Sequence, residues 1–128
     1  CYLCIYCHTE SQDVVLFHHE GGVDVGNVDE KALHLSVGLG ESPRQETIRD
    51  TLLKNVPDTK AQMLSSFIQS LIACFRDLHL TYLEINPLVV TDTGIHILDV
   101  AAKVDNKAAS LCKETWGQIQ YAPSLCRY

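Results

Sequence analysis

The chain has 128 residues, of which 46% are apolar and 20% charged, with a formal net charge of −6. That is enough for one domain with a modest core. The acidic balance and the lack of a basic patch argue against nucleic acid as a partner class, and no apolar run reaches the roughly eighteen residues a membrane span needs.

The chain opens on Cys1 rather than Met, and both ends fall in sequence patterned like structure, so a processed or incomplete chain is expected. Tyr2 to Tyr6 and Val14 to His18 read as two strands joined by a polar connection, His8 to Asp13. Cys1, Cys4 and Cys7 have the C-x-x-C-x-x-C spacing of a metal run. On a strand, however, Cys4 points away from the other two, and no turn residue lets the segment wrap an ion. With Cys74, Cys112 and Cys126 unmatched in spacing, free thiols in a reducing compartment are the favoured reading. The adjacent His18 and His19 would point to opposite faces of a strand and could not chelate one ion together. Glu20-Gly21-Gly22 breaks the strand, either for a turn or for close backbone approach to a ligand. The segment Gly21 to Gly26 matches neither a Walker loop nor a dinucleotide fingerprint.

Asn27 followed by Glu30 predicts a capped helix running to about Ser36 and stopped by Gly38 and Gly40. Ser42, Pro43 and Gln45 predict a second start, with Ile48, Leu52 and Leu53 as the apolar stripe and Pro57 as the stop. The longest helix is predicted from about Thr59 to Leu78. Met63, Leu64, Phe67, Ile68, Leu71, Ile72, Phe75 and Leu78 recur at helical steps, and Ser65 and Arg76 fall on its polar face.

Thr81 to Lys103 reads as a β-hairpin turning at Thr91-Asp92-Thr93-Gly94. With that four-residue turn Val90 faces Ile95 and Asn86 faces Asp99. Glu84 lies two residues from Asn86 on the same side. Two carboxylates and an amide oxygen then converge, a donor set suited to Mg²⁺. The competing reading is the solvated face of a half-buried sheet, and a three-residue loop with a bulge would send Asp99 to the other face. Pro87 removes a ladder donor, so its strand lies at an edge or breaks its pairing there. Beyond the hairpin, Asp105 predicts the cap of a helix from Asn106 to Lys113, and Trp116 to Tyr121 could begin a strand. The expected fold is α+β, an antiparallel sheet with packed helices in the order β-β-α-α-α-β-β-α.

Three stretches, FHHEGGVDVG (Phe17–Gly26), TYLEINPLVV (Thr81–Val90) and LDVAAKVD (Leu98–Asp105), resemble the ATP-grasp region of the ATP-citrate synthase (ATP-citrate lyase) family. The likeness extends through KETWGQI (Lys113–Ile119) and fades at Ser124–Tyr128. EINPL alone would equally fit the wider succinate–CoA ligase β-subunit superfamily. The resemblance implies residues 1–123 as the C-terminal part of an ATP-grasp domain, with 124–128 a divergent tail. It implies a cytoplasmic enzyme of acetyl-CoA and lipid biosynthesis, a homo-oligomer (tetramer) at full length. That enzyme phosphorylates a histidine from Mg·ATP, passes the phosphoryl group to citrate and cleaves citryl-CoA to acetyl-CoA and oxaloacetate. Asn86 and Asp99 match the family's Mg²⁺-holding pair, and Glu84 the glutamate beside the phosphate path. Lys103 is a weaker candidate for a phosphate contact. The family's ATP-gripping lysine and hinge map upstream of Cys1, and its citrate, CoA and phosphohistidine segments downstream of Tyr128. On this view the segment is inactive alone. A non-catalytic remnant acting as an interaction module is the reading from a different class.

Overall fold

The computed structural model describes residues 1–9, 11–21 and 27–117. Among the described residues, seven strands and four helices follow in chain order. They are β1 (Tyr2–Thr9), β2 (Gln12–His18), α1 (Val28–Lys31), β3 (Leu33–Gly38), α2 (Gln45–Leu52), α3 (Asp58–Asp77), β4 (Leu80–Ile85), β5 (Leu88–Val90), β6 (Ile95–Ile97), β7 (Val100–Val104) and α4 (Lys113–Trp116), with a short 3-10 turn at Asn106–Ala108 before α4. Five strands make one sheet in the order β3-β2-β1-β4-β7, every pairing antiparallel. A separate two-stranded ribbon joins β5 to β6. The architecture is the expected α+β class.

Alternation along the strands decides which side of the sheet each residue meets. Leu3, Ile5, Val15, Phe17, Val37, Leu83 and Ile85 face the helices and are buried with Ile48 and Leu52 of α2 and Leu64, Ile68, Ile72 and Phe75 of α3. Each such side chain taken out of water contributes roughly 1.5–3 kcal/mol before ordering costs. The opposite face carries a smaller cluster, Tyr2, Cys4, Val14, Leu16 and Ala32, the last from the end of α1. Cys4 therefore points away from Cys1 and Cys7, as alternation requires.

α3 falls within one residue of its predicted span, but two residues assigned to its polar face turn inward, Ser65 fully and Arg76 in part. Ser65 is fully buried and donates its hydroxyl to the Gln62 carbonyl at 3.0 Å. Arg76 reaches back under the sheet. Its Nε lies 3.0 Å from Oδ2 of Asp13, which is 2% exposed, and it donates further to the carbonyls of Gly38 (2.9 Å) and Glu41. Arg76 thus ties α3 to β2 and to the chain leaving β3.

The predicted helix from Asn27 to Ser36 is a single turn, α1, followed by strand β3. Leu33, Leu35 and Val37 alternate with exposed His34 and Ser36, and that period of two pairs with β2 from Phe17↔Leu33 to Gln12↔Gly38. Asn27 takes a left-handed conformation (φ 54°), and its side-chain amide donates to the Glu30 carboxylate at 3.3 Å instead of capping the backbone. α2 starts two residues later than Pro43. Gln45, expected to close a capping box, bonds instead to Gln62 and Gln69 of α3 at 3.3 Å each. Asp105 does accept the Lys107 N–H at 2.9 Å, yet only a 3-10 turn follows. Trp116, expected near a strand, lies in α4 and donates its indole N–H to the Leu78 carbonyl at 2.8 Å. The rest of the Gly21–Gly26 segment, Gln118–Ile119, Tyr121, Cys126 and the 124–128 tail lie outside the described residues.

Gly21 is a close-approach glycine. A Cβ there would stand 2.4 Å from the Cys1 carbonyl oxygen, so the chain leaving β2 passes directly over the start of β1. That crossing meets the chain's own backbone.

Candidate functional site

The Thr81–Lys103 hairpin folds in the four-residue register. Val90 pairs with Ile95 and Leu88 with Ile97, and the Thr91 N–H donates to the Gly94 carbonyl at 2.9 Å to close the turn. The same register continues past Pro87, where the ladder breaks and restarts. The Leu98 N–H donates to the Pro87 carbonyl and the Asn86 N–H to the Asp99 carbonyl, each at 3.2 Å, and Ile85 faces Val100. The Asn86–Pro87 peptide bond is cis. Asn86 and Asp99 therefore face each other across the joint between sheet and ribbon. Pro87 breaks the pairing, as its missing N–H demands, while β4 itself lies inside the sheet between β1 and β7.

Glu84 stands on the sheet face opposite the helices. Its cross-strand neighbours are Cys4 on β1 and Ala101 on β7, both short, so the half-buried carboxylate rises between low flanks. Tyr82, two residues earlier on the same face, donates its hydroxyl to Glu84 Oε2. Burial, and then the hydrogen bond to Glu84, push the Tyr82 phenol well above the usual tyrosine range. Lys103, opposite Tyr82, holds its Nζ 5.3 Å from the Tyr82 ring centroid and is exposed. At an exposed site such a cation–π contact contributes about 0.5–1 kcal/mol.

The four residues expected at the site thus lie along one hairpin: Asn86 and Asp99 directly opposed, Glu84 two positions inward, and Lys103 beyond Glu84 over Tyr82. Tyr82 is the member that sequence reasoning passed over. Its signal was its spacing, since an aromatic hydroxyl two residues from a carboxylate on a strand shares that carboxylate's face. Oxygen donors of this kind suit a small hard dication that takes one or two carboxylates and completes its coordination with phosphates. Among the described residues no group of three or more His, Cys, Asp or Glu side chains is placed to hold a metal by itself.

Other candidate features resolve differently. β2 ends at His18, so His19 leaves the strand and the two rings stack at 4.7 Å instead of pointing to opposite faces. The Glu20 N–H donates to His18 Nδ1 at 3.2 Å, a strand-end role. Cys1, Cys4, Cys7, Cys74 and Cys112 are free thiols. Burial, and then the neighbouring Asp13 carboxylate, raise the Cys7 thiol above its ordinary pKa, which disfavours thiolate chemistry there. No helix among the described residues is long and apolar enough to cross a membrane.

Residues 1–116 match the ATP-citrate synthase ATP-grasp domain, and the chain belongs to that family. It is 52% identical over 126 residues to ATP-citrate synthase of Bos taurus and 53% identical over 126 residues to that of Mus musculus. In each case 98% of this chain is covered but only 12% of the relative, so the chain spans about an eighth of those proteins. Succinate–CoA ligase subunit beta of Rubrobacter xylanophilus is 34% identical over 132 residues, which cover 94% of this chain and 34% of that subunit. Among solved structures, an ATP citrate lyase from Methanothrix soehngenii in complex with citrate and coenzyme A superposes with a TM-score of 0.68 at 24% identity. That match covers 95% of this chain and 28% of that one, and it establishes the shared fold.

Proposed function

We propose that this segment contributes the Mg·ATP phosphate end of an ATP-citrate synthase, the enzyme that makes acetyl-CoA and oxaloacetate from citrate, CoA and ATP. The observation that carries the proposal is the register, which sets Asn86 against Asp99 at the joint of sheet and ribbon. In this reading Asn86 and Asp99 hold Mg²⁺ and Glu84 borders the phosphate path. The ion, when bound, offsets charge on the phosphoryl group that passes to a histidine. The chain's own part is positional. Paired strands on either side of the joint fix the two ligand-bearing residues relative to one another, and the low flanks formed by Cys4 and Ala101 leave room over Glu84. Citrate, CoA and the phosphorylated histidine belong to other parts of the full-length enzyme, a cytoplasmic homotetramer in this reading, and the isolated 128-residue chain does not complete the reaction.

The test is Asp99→Asn in a full-length ATP-citrate synthase carrying this segment. Mg·ATP-dependent histidine phosphorylation should fall on the order of a hundredfold, while Tm stays near that of the parent because Asp99 is exposed and contributes its backbone carbonyl to the pairing. A variant that unfolds, or one that phosphorylates at the parental rate, removes Asp99 from the metal site.

A further inference from the structure

Glu84 has three side-chain torsions and two short cross-strand neighbours, Cys4 and Ala101, neither of which walls it in. A carboxylate in that setting is free to sample several rotamers, and holding it in one costs side-chain entropy unless a partner fixes it. Tyr82 is placed to be that partner. Backbone alternation puts its ring on the Glu84 face, where it packs against the buried Tyr2–Cys4–Val14–Leu16 cluster. Lys103 stands over the ring from the facing strand. With the ring held on both sides, the hydroxyl is delivered to Glu84 Oε2.

We infer that Tyr82 is a positioning residue that fixes the Glu84 carboxylate in the orientation it needs beside the phosphate path. The inference rests on the reading of Glu84 given above. Tyr82 touches neither nucleotide nor metal in this account and acts through Glu84 alone. Aligning a group that would otherwise wander acts on the chemical step more than on substrate binding.

The experiment compares Tyr82→Phe, Glu84→Gln and the double variant in a full-length ATP-citrate synthase carrying this segment. Rates are expressed per folded molecule, with KM for Mg·ATP, citrate and CoA and with Tm. Phenylalanine keeps the ring and its packing and removes only the donor. Tyr82→Phe should lower kcat about tenfold, leave KM for citrate and CoA unchanged and leave Tm close to the parent. The double variant should be no slower than Glu84→Gln. A silent Glu84→Gln defeats the reading of Glu84, and the Tyr82 inference with it. An impaired Glu84→Gln beside a fully active Tyr82→Phe overturns the Tyr82 inference alone. So does a double variant slower than Glu84→Gln by the whole Tyr82→Phe factor, or a Tyr82→Phe protein that loses Tm but keeps its rate per folded molecule.

Discussion

Tyr82 joins the two physical roles that a half-buried phenol can combine: an apolar ring that packs and a hydroxyl that directs. Its raised pKa gives a stability prediction independent of any ligand. In the unfolded chain a tyrosine ionises near pH 10. In the fold, burial and the Glu84 hydrogen bond favour the neutral phenol. The stabilisation is therefore fully present below about pH 10 and is lost as pH rises above it, because the unfolded state then gives up a proton that the native state retains. Thermal melts of the parent and of Tyr82→Phe, taken from about pH 8 to 11.5, should run parallel up to about pH 9.5. Above that the parent should fall more steeply. Parallel curves throughout would mean that Tyr82 titrates freely in the native state.

At the level of elements, what could be read from sequence depended on how many local signals agreed. The hairpin register was legible because turn length, the Gly at its end and strand alternation all pointed to Val90 facing Ile95, and the pairing of Asn86 with Asp99 follows from that. α3 was legible from its long apolar period. β3 was not, because Asn27 and Glu30 advertise a capped helix while Leu33-His34-Leu35-Ser36-Val37 is too short an alternation to outweigh them. β2, offering its open edge, decided the contest. Arg76 was misread for a related reason. Helical spacing puts it with the polar residues, and only the tertiary fold brings the Asp13 carboxylate and two carbonyls within its reach. Asp13 is buried and Arg76 partly so, and truncating Arg76 leaves the buried carboxylate without its partner. Arg76→Ala should therefore lower unfolding free energy by about 3 kcal/mol, read from denaturant melts with an unchanged m-value. A loss below about 0.5 kcal/mol, the range of ordinary surface changes, would mean that water replaces the guanidinium at little cost.

At the level of the whole molecule, the described chain is a helix-covered sheet with a two-stranded ribbon beyond Pro87, Tyr82 and Glu84 lie on the sheet face away from the helices, and the chain matches 12% of the bovine and mouse enzymes. β3 and β7 form the two edges of that sheet, and at β7 Leu98 and Val100 remain exposed. Open apolar edges of this kind are where a sheet meets further chain or another molecule. Purified as 128 residues and supplied with citrate, CoA and Mg·ATP, the chain should form no acetyl-CoA in a coupled assay. Measurable turnover would show that every group the reaction needs lies within it.

The unbroken register across Pro87 has a consequence for how the site tolerates change. Sheet and ribbon are separate ladders, yet the residue count between Asn86 and Asp99 is measured out through the Thr91–Gly94 turn at the far tip. Position at the site is thus encoded as a length as well as an identity. Letters at the tip can be exchanged while the ruler stays true. A single inserted or deleted residue there slips the tape by one notch, and each strand then offers its partner the wrong side at a point the change never touches.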